Sequence, residues 1–169
     1  MKNKWVKYTL FLTILIFSIG CDQQTKKLAK DQLAYAKQPI EYLDGTFRLI
    51  YAENTGAFLG LGDTLPPIWK YILLIFFPTL VLFLFAATYF KASSSLLQFA
   101  GMSLIVGGGI GNLIDRIAYG SVIDFMHINV GGLKTGIFNF ADVAVTVGLI
   151  VLLFTIFFSN RGNPTIDME

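Results

Sequence analysis

The sequence is poor in the residues that most enzymes use for chemistry. Its 169 residues contain one cysteine and one histidine. A single Cys excludes an internal disulfide, and a single His argues against both a His-rich metal site and a Ser-His triad. No credible set of metal ligands is present, so neither metal nor any other cofactor is expected. Charge is scarce: 14% of residues are Asp, Glu, Lys or Arg, against roughly 25% in soluble domains. The net charge is +2 and there is no basic tract, so nucleic acid is not an expected partner. The glycine-rich run 107–111 is not followed by Gly-Lys-Ser/Thr and makes no phosphate loop. Ser93-Ser94-Ser95 reads as a short loop with no His nearby. What is abundant is apolar: 54% of residues are hydrophobic and Phe occurs 16 times. A soluble domain of this length could not hide so much apolar side chain, which makes lipid the solvent for much of it.

Four stretches approach the roughly 20 apolar residues that cross a bilayer as a helix. They run over about 5–21, 71–90, 96–114 and 138–158. The second is uncharged and carries Pro78, which should kink it; membrane helices tolerate this better than soluble ones. The expected fold class is a polytopic α-helical membrane protein, a single integral membrane domain over 1–169 with four transmembrane helices and a small β-sheet. The sheet comes from two polar segments, about 22–67 and 115–137. In the first, Thr46-Phe47-Arg48-Leu49-Ile50-Tyr51 favours strand. In the second, Val122–Val130 reads as a strand, Gly131-Gly132 as a turn and the following residues as a return strand. Both segments follow odd-numbered spans and therefore lie on one side.

Lys2, Lys4 and Lys7 favour an inside N-terminus, with Lys91 and Arg161 then also inside. By raw count Lys26, Lys27, Lys30, Lys37 and Arg48 argue the other way, but the first helix usually sets topology. The start of the chain also imitates a lipoprotein signal peptide, ending Ser18-Ile19-Gly20-Cys21. Ser18 stands where a lipobox has Leu, and three more spans follow. Cys21 is better read as a small apolar residue near a helix end, unmodified and without a catalytic role.

The informative residues are polar ones at membrane depth, where they are costly and usually functional. Span three ends Gly107-Gly108-Gly109-Ile110-Gly111-Asn112-Leu113-Ile114-Asp115-Arg116. At helical spacing Gly108, Asn112 and Arg116 share a face. The glycines are explained by close helix packing, with Gly107 and Gly111 as a small-xxx-small pair. Asn112 and Arg116 are not; they need polar partners. Asp124 interrupts the apolar run Val122–Met126, and Asp142 opens span four with Asn139 three residues before it and Thr146 four after. Either carboxylate alone could be a paired or solvated surface group. Two on the same side of the membrane suggest a converging pair that shares one proton, one member acting as base on a water and the other as acid toward a carbonyl oxygen. Asp142 is expected to be the more buried and to hold the proton, because a long apolar stretch follows it.

Five blocks, in order and at fitting spacing, resemble lipoprotein signal peptidase. They are Asp22-Gln23-Gln24-Thr25-Lys26, Asn54-Thr55-Gly56-Ala57-Phe58, Gly107 to Arg116, Val122-Ile123-Asp124-Phe125 and Phe138-Asn139-Phe140-Ala141-Asp142. Each is weakly specific alone; together they are highly specific and cover nearly the whole chain. The resemblance implies a multi-pass protein of the bacterial inner membrane with both termini cytoplasmic, an extracytoplasmic sheet and an active site near the outer leaflet. It implies Asp124 and Asp142 as catalytic residues, with substrate-binding or supporting roles for Asp22, Lys26, Asn54, Gly56, Gly108, Asn112, Asp115, Arg116 and Asn139. The implied partners are membrane lipid and diacylglyceryl-modified prolipoproteins, cut just before the lipidated Cys; the enzyme is expected as a monomer. There are departures: only Ala57 stands before Phe58 where two alanines are frequent, and Val143 follows Asp142 where a small hydroxylated residue is frequent. They touch substrate fit and not the reaction. The resemblance also accounts for the lipobox-like start, since Asp22 belongs to a functional block directly after Cys21.

Two other readings stay open on the residues alone. A channel or transporter subunit would line an ion path with Asp124, Asp142 and Arg116, but would want polar groups along a full crossing. A structural four-helix protein would have no perturbed carboxylates.

Overall fold

The computed structural model describes residues 2–91 and 94–159. Arg161 with the rest of the C-terminal tail, and Ser93 of the serine loop, lie outside the described residues. The elements are α1 (Lys2–Leu33), β1 (Ile40–Tyr42), β2 (Phe47–Asn54), α2 (Pro67–Lys91), α3 (Leu96–Tyr119), β3 (Val122–Val130), β4 (Leu133–Lys134) and α4 (Phe140–Ser159). All four helices are long and apolar enough to cross a membrane.

Helix α1 differs most from the expectation. It does not end near Cys21 but continues to Leu33, so Asp22–Lys26 are helical and Cys21 sits half-buried within the helix. Nothing after Cys21 breaks a helix before Pro39, and the apolar Ala29 and Leu33 keep a buried stripe going. They pack with Phe125 of β3 and with Leu49 and Tyr51 of β2, so the end of α1 supports the sheet. At its other end Phe11 and Leu15 of α1 join Phe85, Ala86 and Tyr89 of α2 around Phe99, Met102 and Val106 of α3.

Pro78 acts on α2 through the preceding turn. Residues Ile72–Phe76 form a π-helical turn, and the N–H of Phe77 donates to the carbonyl of Ile72. Proline has no N–H and its ring crowds the carbonyl four residues back; a widened turn relieves both. No residue of α2 is buried by the protein, and the helix lies at the edge of the bundle.

Helix α3 is the central element. Ser95 caps it in a reciprocal capping box with Gln98, a signal overlooked when 93–95 is read only as loop. Gly120, with φ 74°, ends it and turns the chain into β3. Its glycines let two helices approach closely. A Cβ on Gly107 would strike Ser18 of α1, and one on Gly108 would fall on the backbone carbonyl of Ala141 in α4. Gly101 and Gly148 meet in the same way further along the α3–α4 seam. The packing explanation of the glycines therefore holds, and it brings the polar residues of α1, α3 and α4 into one layer.

The sheet is antiparallel in the order β1-β2-β3-β4. Gly131 and Gly132 form the β3–β4 turn, both with positive φ. Ala52 pairs with Asp124 and Asn54 with Val122, after a register shift between Leu49 and Ala52. The pairing sets Asn54 diagonal to Asp124 on one face of the sheet.

Candidate active site

At the sheet end of the bundle lies a cavity of about 820 Å³. Asp124, Asp142, Asn54, Asn112 and Arg116 line it together with apolar side chains such as Val122, Ile137, Phe138 and Val143. These five polar residues come from four elements, with Asn112 and Arg116 one turn apart on α3, so the site exists only in the assembled fold.

Asp142 is in the first turn of α4, and Asn139 caps that turn. The N–H of Asn139 donates to Asp142 Oδ2 at 3.1 Å, and the N–H of Asp142 donates to Asn139 Oδ1 at 3.0 Å. The three-residue spacing noted in the sequence is thus a capping box. Thr146 Oγ1 donates to the backbone carbonyl of Asp142, not to its carboxylate. The side chain of Asn139 is fully buried and also serves the other carboxylate: Nδ2 donates to Asp124 Oδ1 at 2.6 Å and to Asn112 Oδ1 at 3.0 Å. Asn112 Nδ2 donates to Asp142 Oδ1 at 2.9 Å. Asn139 thus touches both aspartates, and Asn112 links it a second time to Asp142. Asn54 Nδ2 donates to Asp124 Oδ2 at 3.2 Å.

Burial of the two carboxyls is the reverse of the expectation. Asp124 is 4% exposed, whereas Asp142 is only half-buried. The apolar stretch after Asp142 contributes Val143, Val145 and Val147 to the cavity wall, yet leaves the Asp142 side chain only half-buried. Asp124 lies within a strand, between buried Ile123 and Phe125, and is closed over by Asn54 and Asn139. Burial, with the neighbouring charge of Asp142, pushes Asp124 up to about 6 against the hydrogen bonds from Asn54 and Asn139 and the field of Lys26.

Arg116 reaches across the cavity to the loop after β2, where Nη2 donates to the carbonyl of Gly56 at 2.8 Å. Gly56 has no room for a side chain, since a Cβ would lie 2.6 Å from the carbonyl of Gly60. Asn54 Oδ1 accepts from the Gly56 N–H, and Asn54 Nδ2 also donates to the carbonyl of Ala57. Arg116 and Asn54 together fix this loop over the carboxylates.

Asp22, Lys26 and Asp115 do not line the cavity. They form a buried cluster behind it, with Lys26 Nζ 2.8 Å from Asp22 Oδ2 and 3.0 Å from Asp115 Oδ2. Asp22 Oδ1 accepts from the N–H of Ala141, and Asp115 Oδ2 accepts from the N–H of Ile123. Gln23, to which the sequence reading gave no role, donates to Asp115 Oδ1 at 3.0 Å and to the Gly111 carbonyl at 3.2 Å. Its place in the first block, one residue from Asp22, was the signal available. Among the described residues no three His, Cys, Asp or Glu side chains gather as metal ligands.

The fold and site define a polytopic membrane protein with a one-sided acidic centre at the sheet end of its bundle. The sequence profile described as Signal peptidase (SPase) II matches residues 14–158. The lipoprotein signal peptidase of Pelodictyon phaeoclathratiforme is 37% identical over 163 residues, 92% of each chain. That of Borrelia duttonii is 29% identical over 168 residues, 96% of each chain. The fold is also that of a bacterial membrane enzyme determined by the in meso method at 2.3 Å, with a TM-score of 0.80 over 94% of each chain at 24% identity. This chain belongs to the signal peptidase II family and is a multi-pass membrane peptidase.

Proposed function

We propose that this peptidase removes signal peptides from lipoprotein precursors by an aspartic mechanism, cutting diacylglyceryl-modified prolipoproteins just before the lipidated Cys. It acts in the bacterial inner membrane, with both termini cytoplasmic and the site near the outer leaflet. The observation that carries the reading is the convergence of Asp124 and Asp142 on Asn139, with Asn112 bridging Asn139 and Asp142, within a cavity whose remaining wall is largely apolar. An apolar wall suits acyl chains and signal-peptide side chains; the carboxyls suit a peptide bond.

Asp124, shielded from water, is the member that holds the shared proton. Asp142 carries the charge, at the N-terminus of α4 where the helix dipole favours an anion. Asp142 takes a proton from a water as the water oxygen attacks the scissile carbonyl carbon, and Asp124 gives its proton to the carbonyl oxygen. In the second step Asp142 gives its new proton to the leaving nitrogen. A hydroxyl of the gem-diol returns a proton to Asp124 as the C–N bond breaks. A carboxylic acid and an amine leave, and both aspartates are back in their starting states. Arg116 performs no bond-breaking; it holds the Gly56 loop and sits within the field of both carboxylates.

The test uses purified protein with a prolipoprotein that is or is not diacylglyceryl-modified. Cleavage of the lipidated form alone is expected. Asp124→Asn and Asp142→Asn should each lower kcat by at least about 10³-fold with the fold intact, and the double variant should lose little more, as for groups acting as a unit. Near-normal turnover by either single variant would end the aspartic reading.

A further inference from the structure

Behind the carboxylates lies a lysine that bonds to neither of them, yet its hydrogen bond and ion pairs bear on their geometry. An ammonium has three protons and accepts nothing. Those of Lys26 meet three acceptors: Asp22 Oδ2 at 2.8 Å, Asp115 Oδ2 at 3.0 Å and Asn112 Oδ1 at 2.9 Å. Its side chain is 2% exposed, so no water competes for these places. We propose that Lys26 is a positioning residue of the cleavage reaction, acting through Asn112: it pins that carboxamide with its oxygen inward, so that the NH₂ must face Asp142. The inference rests on the reading of Asp124 and Asp142 as the cleaving pair.

The carboxamide of Asn112 has two orientations related by a half-turn. In the observed one, Oδ1 accepts from Lys26 Nζ and from Asn139 Nδ2, and Nδ2 donates to Asp142 Oδ1. The half-turn would set its NH₂ against two donors and its oxygen against a carboxylate. Both ends would then be mismatched in a buried site, where unmet polar groups are most unfavourable. Lys26 therefore decides which end of Asn112 Asp142 meets. The cation is itself immobilised: Asp22 is tied to α4 through Ala141 N–H, and Asp115 is held by Gln23 and by Ile123 N–H. One ammonium thus locks α1, α3 and α4 and turns that rigidity into the orientation of one amide. The charged groups facing the pair are Lys26 and Asp22 from α1, Asp115 and Arg116 from α3, and Lys134 at the cavity rim from β4; β2 contributes the neutral Asn54.

The experiment is a double-mutant cycle on the full chain, with cleavage of diacylglyceryl-modified prolipoprotein measured across pH. Lys26→Met keeps length and removes every donor; Asn112→Ala removes the carboxamide. Each single variant should lower kcat at least tenfold with KM within about twofold, and should move the pH profile. In the Asn112→Ala background, Lys26→Met should reduce kcat by less than threefold. Independent, multiplicative losses, a rise in KM alone, or a wild-type profile for Lys26→Met would overturn the inference. If Lys26→Met does not fold, Asn112→Asp decides the matter: it keeps the ammonium paired but turns an acceptor toward Asp142. It should be folded and at least tenfold impaired, and wild-type turnover would refute the pinning. Asp124→Asn and Asp142→Asn run beside them. If either of these cleaves normally, the aspartic reading fails; if both are dead while Lys26→Met is normal, only the role of Lys26 fails.

Discussion

A carboxyl that is 4% exposed and pushed up to about 6 leaves a signature in stability as well as in catalysis. The folded-state value of Asp124 lies above the unfolded value of 3.8, so folding favours its protonated form. The stabilisation relative to the ionised state is fully present below about pH 4 and is lost as pH rises through about 6. At pH 8 the folded protein bears about 3 kcal/mol for keeping that carboxylate buried, from a difference of roughly two pH units. Asp124→Asn is permanently neutral and nearly isosteric. It should be inactive, yet melt at a higher temperature than the parent at pH 8, with the gap closing toward pH 4. A thermal scan across pH checks this, and a gap independent of pH would show that burial does not govern Asp124. The sequence pointed to both aspartates because each interrupts an apolar run. It could not rank their burial, because the cover of Asp124 comes from Asn54 and Asn139, far from it in sequence. Neighbours along the chain were a poor guide, as the half-buried Asp142 at the head of an apolar helix demonstrates.

The α3 seam works because backbone and carboxylate come where a side chain would stand. At Gly111 an added Cβ would lie 2.6 Å from Asp22 Oδ2, and that oxygen cannot retreat while Lys26 holds it. Gly111→Ala should lower stability by about 1–3 kcal/mol, the range for overpacking a tight site, and should reduce cleavage at least tenfold by shifting the Asp22–Lys26 pair. Gly20→Ala is the matched control. It has nothing within 4 Å of an added Cβ and lies in helix α1, so it should be neutral or stabilising by up to about 1 kcal/mol. Thermal midpoints and initial rates of the two variants decide the point; equal behaviour would mean that the seam is looser than its geometry. Elements of this kind were legible where the pattern is local. The four spans, β3 and the Gly131-Gly132 turn follow from hydropathy and turn chemistry. The extension of α1 past Cys21 was not, because Asp22–Lys26 is polar in sequence and becomes interior only when α3 and α4 close around it. The π-turn before Pro78 is likewise a response of the backbone, which proline foreshadows without fixing its form.

At the scale of the molecule, length places the chemistry. Thirty-two residues of α1 span about 48 Å at 1.5 Å per residue, against a hydrocarbon core of about 30 Å. The Asp22–Lys26 turn falls in the half of α1 nearer the sheet, which the proposed orientation sets toward the outer face of the membrane. The opposite end of the bundle carries Lys4, Lys7 and Lys91, and Lys7 donates to the carbonyl of Ser94 beside the start of α3. Lysines near the start of the first helix weigh most in orientation. At the sheet end Lys26 is consumed by buried carboxylates, Arg48 is paired with Glu41 and Lys30 lies over the ring of Tyr119. This distribution supports an outward-facing site and inward-facing termini. Single cysteines in a Cys21→Ala background provide the check. That background should keep at least half of wild-type turnover, since Cys21 receives only a backbone-carbonyl bond from Thr25. In spheroplasts, an impermeant maleimide should label Lys37→Cys directly, and Lys4→Cys and Lys91→Cys only after permeabilisation. All three positions are exposed, so reactivity reads sidedness and not burial. The reverse pattern would turn the site toward the cytoplasm, away from exported precursors.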